Sequence, residues 1–292
     1  MTRPNRTWLF APGNHARKVE KVFGVGADMA ILDLEDAVAA AEKQATRAVV
    51  AETLRQPRSC RAYVRVNALD TGLTFGDLET VIVPGLDGIV LPKVERAADL
   101  QMVDWVVGEI EKKQGLAQGT IDLMPILETG RGIAEARTIC AAGGRLRRAS
   151  FGAGDYTRDM GMDWTMGEEE LVQARAEVVL ASRINDLEPP IDTVFIHIRE
   201  TDAFAASCTR VRQMGFQGKL CIHPGQIAPA NAAFSPTEAE AAHARKIVAA
   251  FTEAEAAGST SIQVDGYFVD YPIVEKARRV IALAEAIEGS RP

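Results

Sequence analysis

Residues 30–37 read Ala-Ile-Leu-Asp-Leu-Glu-Asp-Ala, and residues 123–128 read Leu-Met-Pro-Ile-Leu-Glu. Both runs are mostly apolar at successive positions until acids close them, so neither alternates like a strand with one face in water. A strand of this kind is buried on both faces, as in a parallel sheet covered by helices. The two runs therefore predict buried parallel strands whose carboxyl ends carry acids.

Eight such runs alternate along the chain with longer helical patterns, which is the rhythm of consecutive strand–helix–strand units. The predicted strands cover residues 7–12, 29–34, 62–66, 88–92, 122–127, 148–151, 193–198 and 219–223, and the clearest helices cover 97–113, 167–183, 203–214 and 236–257. Eight strands in this order predict an α/β fold, a (β/α)8 TIM barrel over residues 1–257. We expect residues 258–292 to form a C-terminal extension, with a short strand at 262–264 and a helix at 272–288.

The composition is that of a globular domain, since 47% of the 292 residues are apolar and 25% are charged. A formal net charge of −7 argues against nonspecific binding of nucleic acid, which requires a basic surface. The sequence shows neither a signal-peptide pattern nor a run approaching the roughly 20 apolar residues of a membrane helix. We therefore expect a cytoplasmic protein without a nucleic-acid or membrane partner.

Two carboxylates stand at neighbouring strand ends, Glu128 after the fifth predicted strand and Asp155 at the end of the sixth. Barrel active sites assemble where the strands end, so we expect both side chains on one rim. Hard oxygen ligands with no nearby histidine or cysteine suit Mg²⁺, with Mn²⁺ as the alternative ion. Each acid taken alone can instead cap the helix that follows it, because acids favour helix amino termini.

Four further charged residues, Glu35, Asp36, Arg65 and Lys93, follow strands on the same predicted rim. The guanidinium of Arg65 offers a rigid fork for a substrate carboxylate or a developing enolate oxygen. The alternative is an internal salt bridge from Arg65 to Glu35 or Asp36, and the two interpretations are compatible. Acids at a buried strand end need such partners.

Asp270 lies in the extension, two residues before Pro272. An aspartate just before a helix that starts at proline is a common amino-terminal cap, which is the simplest interpretation. The large side chains of Tyr267, Phe268 and Tyr271 favour instead burial of the acid against another surface. His223, at the end of the last predicted strand, is expected to be a hydrogen-bonded structural residue rather than a proton carrier.

Seven short fragments appear in order at successive strand ends. They are residues 9–13 (Leu-Phe-Ala-Pro-Gly), 32–38 (Leu-Asp-Leu-Glu-Asp-Ala-Val), 65–67 (Arg-Val-Asn), 91–93 (Leu-Pro-Lys), 126–129 (Ile-Leu-Glu-Thr), 151–152 (Phe-Gly, with Asp155) and 222–226 (Ile-His-Pro-Gly-Gln). On these fragments the chain resembles the citrate lyase β-subunit and malyl-coenzyme A lyase family, within the wider 2-keto-acid aldolase and lyase barrels.

The resemblance implies a role for each of these residues. Glu128 and Asp155 would be the Mg²⁺ ligands, and Arg65, Glu128 and Lys93 would contact the substrate. Glu35 and Asp36 would act in catalysis by ordering metal-bound water or bracing Arg65.

A late run of the same family, Gly-x-hydrophobic-hydrophobic-Asp-x-Pro, is matched here by residues 266–272. The match implies that Asp270 is a catalytic proton carrier that enters the active site of an adjacent subunit. The extension at 258–292 would then contribute to a neighbouring subunit of a homo-oligomer, a trimer or a hexamer.

The resemblance implies a magnesium-dependent carbon–carbon lyase that cleaves a 3-hydroxyacyl thioester of the malyl-, citramalyl- or methylmalyl-coenzyme A type. Its products would be a 2-keto acid and an acyl-coenzyme A. The alternatives are a citrate lyase β-subunit acting on citryl-acyl carrier protein, a class II 2-keto-acid aldolase, and a non-catalytic barrel that binds acyl-coenzyme A. Asp36 disfavours the aldolases, which typically carry histidine at this position.

Two stretches depart from the family pattern, residues 183–188 and 195–200. We expect both on the barrel rim, where they would affect the choice of acyl group or thioester carrier.

Overall fold

The computed structural model describes residues 4–289 and contains a closed barrel of eight parallel strands in chain order. The strands are β1 (Thr7–Pro12), β2 (Met29–Asp33), β3 (Arg61–Arg65), β4 (Gly88–Leu91), β5 (Asp122–Leu127), β6 (Ser150–Phe151), β7 (Ile191–Asp192) and β8 (Gly218–Cys221). The barrel closes where β1 pairs with β8, with Thr7 opposite Lys219. The predicted (β/α)8 TIM barrel is confirmed.

Helices follow the strands, as the sequence pattern predicts. They are α1 (Ala16–Val22), α2 (Lys43–Leu54), α3 (Thr74–Val81), α4 (Ala97–Gln114), α5 (Gly130–Ala134), α6 (Ala136–Cys140), α7 (Ala153–Met160), α8 (Val172–Ile184), α9 (Thr201–Met214) and α10 (Ile227–Phe234). The two longest, α4 and α9, lie within three residues of their predicted bounds.

One strand prediction is wrong. The seventh strand is Ile191–Asp192, and residues 193–198 form an irregular loop in its place. Ile191 packs in the barrel core, whereas Ile196 and Ile198 are 46% and 49% exposed. Pairing with β8 ends at Asp192. The apolar residues of the loop have other contacts, since Val194 packs against the barrel core and Phe195 packs against Phe204 of α9.

The barrel interior is filled by every second residue of the strands. Its buried cluster consists of Trp8, Met29, Ile31, Tyr63, Val90, Met124, Ile126, Ile191 and Leu220. The rings of Trp8 and Tyr63 meet edge to face with their centroids 4.7 Å apart. This packed core closes the interior, so chemistry is confined to the ends of the strands.

Residues 232–289 form a second compact unit. It contains α11 (Glu238–Ala256), the hairpin strands β9 (Ile262–Val264) and β10 (Tyr267–Val269), and α12 (Tyr271–Glu288). Asp265 and Gly266 turn the hairpin with positive φ angles of 50° and 84°, as a tight two-residue turn requires. The strand at 262–264 matches the prediction, and β10 was not expected.

The helix α11 packs against α12 and β9, so it groups with the residues of the extension. The division of the chain at residue 257 and the contribution of 258–292 to a neighbouring subunit stay predictions. Among the described residues, no helix combines the length and the apolar character needed to cross a membrane.

Candidate active site

The alternation that fills the barrel core places a charged layer directly above it, at the carboxyl ends of the strands. The inward series run from Ile31 to Asp33 in β2, from Tyr63 to Arg65 in β3, and from Ile126 to Glu128 after β5. A residue two positions beyond an inward-facing residue points into the barrel as well. Asp33, Arg65 and Glu128 therefore converge above the core.

Asp33 holds Arg65 in a two-pronged ion pair. Arg65 donates from Nε to Oδ1 of Asp33 over 2.8 Å and from Nη2 to Oδ2 over 2.6 Å. The ring of Phe10 lies 4.8 Å from Cζ of Arg65 and covers one face of the guanidinium. Burial acts to raise the pKa of Asp33, but the charge and hydrogen bonds of Arg65 outweigh it and lower the pKa.

Asp33 is absent from the site residues predicted from the sequence, which pair Arg65 with Glu35 or Asp36 instead. Its inward position could have been predicted from the sequence. Met29, Ile31 and Asp33 are spaced two residues apart, so all three side chains face the same side of the strand, which is the inside of the barrel. Asp33 also accepts the backbone N–H of Glu35, over 2.9 Å. Asp33 thereby fixes the position of the guanidinium and the start of the loop that follows β2.

Glu35 joins the two cations of the layer. Its Oε2 lies 3.0 Å from Nη1 of Arg65, and its Oε1 accepts a hydrogen bond from Nζ of Lys93. Burial raises the pKa of Glu35, although Arg65 and Lys93 oppose the rise. Nζ of Lys43 donates to the backbone carbonyls of Leu34 over 3.1 Å and of Glu35 over 2.8 Å, so the strand end is fixed.

Lys93 has a positive φ of 53°, a conformation that residues other than glycine adopt rarely. This turn directs its backbone N–H toward Oε1 of Glu128, at 2.8 Å. On the other side of Glu128, a Cβ at Gly152 would come within 2.5 Å of Oε2, so only glycine leaves room for the carboxylate. Backbone geometry on both sides therefore orients Glu128.

Asp155 lies in the first turn of α7, four residues beyond the end of β6, rather than at the strand end. Its Oδ2 is 3.6 Å from Nζ of Lys93, and its Oδ1 is 2.6 Å from Nη2 of the exposed Arg158. Asp36 is 62% exposed at its side chain, and its Oδ2 lies 3.8 Å from Nζ of Lys93. The structure thus brings the six predicted barrel residues to one rim, with Asp36 at its outer edge.

Negative charge dominates this rim. Burial raises the pKa of Glu128 to about 8, and the nearby carboxylates of Glu35 and Asp155 add to the rise, while Arg65 opposes it. Clustered carboxylates repel one another when they are ionised, and a bound cation relieves this repulsion. The acids at the rim thus fit a divalent cation electrostatically.

Two carboxylates are enough donors for a magnesium ion. Residues 4–289 contain no group of three or more acidic, histidine or cysteine side chains placed to hold a metal by themselves. Mg²⁺ commonly binds through one or two carboxylates and takes its other ligands from water and substrate oxygens. Glu128 and Asp155 match this pattern.

Asp270 lies in the second unit and caps α12. Its Oδ1 accepts the backbone N–H of Ile273 over 3.4 Å, which agrees with the capping interpretation. Val269 is buried, whereas Tyr267 and Phe268 are each 67% exposed and Tyr271 is 47% exposed. Within this chain the aromatic residues therefore leave a face without cover.

His223 is a cap as well, since its Nδ1 accepts the backbone N–H of Gly225 over 3.1 Å.

One of the two stretches that depart from the family pattern lies on the opposite rim from the one expected. Glu188 precedes β7 and accepts from Nε of Arg148, which precedes β6, so residues 183–188 lie at the amino-terminal ends of the strands. Residues 195–200 follow β7 and lie on the carboxyl rim.

Residues 6–224 match the family model described as HpcH/HpaI aldolase/citrate lyase. The chain belongs to this family. The predicted carbon–carbon lyase is confirmed at the level of the family, and the resemblance proposed from the strand-end fragments is confirmed with it.

Curated relatives cover nearly the whole chain. The citrate lyase subunit β of Leuconostoc mesenteroides subsp. cremoris is 36% identical over 97% of this chain and 94% of its own. The (3S)-malyl-CoA thioesterase of Cereibacter sphaeroides is 36% identical over 99% of this chain and 97% of its own. The two relatives thus carry names for different reactions at equal identity.

Solved structures of a similar protein contain magnesium and small carboxylic acids. The CitE protein of Mycobacterium tuberculosis, in complex with magnesium, acetoacetate and coenzyme A, is 26% identical and superimposes with a TM-score of 0.78. The match covers 97% of this chain and 98% of that chain.

Asp33→Asn should lower the free energy of unfolding by about 3–5 kcal/mol, because it removes the charge that balances the buried guanidinium of Arg65. Urea unfolding followed by circular dichroism measures the loss. Glu79→Gln is the matched control, since it breaks the exposed pair with Lys113 and should change stability by less than about 1 kcal/mol. Equally small losses in both variants would show that Asp33 does not anchor Arg65.

Proposed function

We propose that the protein is a divalent-metal-dependent lyase that cleaves a 3-hydroxyacyl thioester of the malyl-, citramalyl- or methylmalyl-coenzyme A type. The observation that carries the proposal is the convergence of Glu128 and Asp155 with the anchored guanidinium of Arg65 on one barrel rim. Two acids provide ligands for a metal, and the guanidinium provides donors for substrate oxygens. The relative crystallised with magnesium, acetoacetate and coenzyme A supports the choice of a divalent metal and a coenzyme A thioester.

Glu128 and Asp155 would hold Mg²⁺, with Mn²⁺ as the alternative ion. When bound, the metal supplies Lewis acidity and a template for the carboxylate and hydroxyl oxygens of the substrate. Arg65 donates from Nε and Nη2 to Asp33, and its Nη1 lies 3.0 Å from Oε2 of Glu35. Its remaining N–H groups would donate to substrate oxygens. Those donors are already oriented before the substrate binds, which is the requirement for electrostatic stabilisation of developing charge.

Bond cleavage separates the hydroxyl-bearing carbon from the α-carbon of the thioester. The hydroxyl proton passes to water at the rim, the hydroxyl-bearing carbon becomes the keto carbon of the released acid, and the bonding electrons pass to the thioester enolate. Asp270 then protonates the enolate carbon, and in the condensation direction it removes that proton. Lys93 and Glu35 face the same space and would bind and orient the substrate's carboxylate and the water around it.

The Asp270 of an adjacent subunit would complete this site. The exposed Tyr267, Phe268 and Tyr271 support the assignment, because large aromatic residues without cover mark surfaces that associate. A second copy of the chain is the occupant that the shared site requires. The protein would therefore act as a homo-oligomer, a trimer or a hexamer.

The first test of the function is release of a 2-keto acid from a panel of malyl-, methylmalyl-, citramalyl- and citryl-coenzyme A in the presence of Mg²⁺. EDTA should abolish release, and Glu128→Gln or Asp155→Asn should lower kcat at least about 100-fold with unchanged circular dichroism, because each removes a metal ligand. Glu109→Gln, on the exposed surface of α4, is the matched control and should retain full activity.

Two outcomes would contradict the proposal. Full turnover by either variant at low Mg²⁺ would remove Glu128 and Asp155 as the metal ligands. Release of free thiol without a keto acid would show thioester hydrolysis in place of carbon–carbon cleavage.

Mixing subunits tests the role of Asp270. Asp270→Asn should abolish turnover yet leave the stability of α12 nearly unchanged, because asparagine caps helices as well as aspartate does. Neither this variant nor Glu128→Gln is active alone, but mixed oligomers should regain activity at sites that join an intact metal centre to an intact aspartate. Native mass spectrometry confirms the mixing. No recovery in confirmed mixed oligomers would leave Asp270 as a helix cap only.

A further inference from the structure

The ammonium group of Lys93 is shared among three acids, two in the loop after β2 and one in α7. Its Nζ bonds to Oε1 of Glu35, which follows β2, and lies 3.8 Å from Oδ2 of Asp36 in the same loop. It also lies 3.6 Å from Oδ2 of Asp155, in the first turn of α7. The side chain of Lys93 is 25% exposed, and it is the cation that Glu35, Asp36 and Asp155 have in common.

Asp155 therefore has two cationic side-chain partners, Lys93 near Oδ2 and the exposed Arg158 2.6 Å from Oδ1, and it is also a proposed ligand of the divalent metal. A metal ion bound to Asp155 and an ammonium group within 3.6 Å of the same carboxylate would repel each other strongly at this separation. The ammonium is the mobile member of the pair, because it stands at the end of four methylene groups. Entry of the metal must displace Nζ from Asp155.

We infer that Lys93 competes with the divalent metal for Asp155, so that it weakens metal binding to the free protein and couples metal binding to substrate binding. The displaced ammonium needs a new partner, and the substrate's carboxylate is an anion of the right chemistry at this rim. Metal and keto acid would then bind cooperatively, each stabilising the arrangement that the other requires. This inference rests on the proposed metal ligands but on no particular thioester.

The backbone of Lys93 makes the inference testable without disturbing Glu128. The bond to Oε1 of Glu128 comes from the main-chain N–H, at 2.8 Å, and survives any change of the side chain. Lys93→Met removes the ammonium and keeps most of the side-chain volume. Lys93→Gly removes it as well and suits the positive φ of 53°, so at least this variant is expected to fold.

Isothermal titration with Mg²⁺ alone, and again with saturating pyruvate, gives the decisive measurement. Both Lys93 variants should bind Mg²⁺ about tenfold or more tightly than the unmodified protein, because a competing positive charge has gone. Pyruvate should tighten Mg²⁺ binding to the unmodified protein and have a much smaller effect in the variants. Lys113→Met, in the exposed pair with Glu79, is the control and should change neither value.

Equal or weaker Mg²⁺ binding in both variants would overturn the competition, even if the lyase activity is found. Equal effects of pyruvate on the unmodified protein and the variants would overturn the coupling. Absence of Mg²⁺ binding in all three proteins would instead overturn the metal ligands themselves. Lyase assays that fail while the titrations behave as expected would remove the thioester reaction and leave the role of Lys93 intact.

Discussion

Burying carboxylates at the carboxyl ends of barrel strands costs free energy that only close cations offset. Asp33, Glu35 and Glu128 are each at most 4% exposed, and the buried guanidinium of Arg65 is the cation they share. Asp33 fixes this guanidinium through two hydrogen bonds, and Nη1 lies 3.0 Å from Oε2 of Glu35. The pair also places a positive charge beside Glu35. The acids of the rim still outnumber the cations close to them, and a divalent cation would reduce this surplus of negative charge.

The positive φ of Lys93 belongs to the same arrangement. A backbone in this region costs free energy and persists only where the surroundings hold it in place, and such residues cluster at functional sites. Here the strained turn lets one residue serve two acids, with its N–H directed to Glu128 and its ammonium to Glu35. Backbone contacts thus orient Glu128, one proposed metal ligand, while the flexible side chain of Lys93 lies next to Asp155, the other.

Much of the barrel could be predicted from the sequence because buried parallel strands are nearly continuous apolar runs, and acids mark their ends. The position of β7 could not, since residues 193–198 (Thr-Val-Phe-Ile-His-Ile) are as rich in β-branched and aromatic residues as a strand, and only the pairing of Ile191 and Asp192 with β8 shows where the strand lies. The sequence places Asp155 at a strand end, whereas it lies in α7. The strand and the helix are separated by one residue, so the sequence pattern does not show where one ends and the other begins. Asp33 was missed because its partner, Arg65, lies on another strand, although its phase with Ile31 was visible.

The central claim is that Glu128 and Asp155 hold the divalent metal at the rim beside Arg65. Anomalous X-ray diffraction from crystals soaked with Mn²⁺ tests it most directly, because the peak locates the ion independently of any activity. The account predicts a single strong peak at about 2.1–2.2 Å from carboxylate oxygens of both Glu128 and Asp155. A peak bound to Asp36 without Glu128, or none at this rim at a saturating concentration of Mn²⁺, would contradict it.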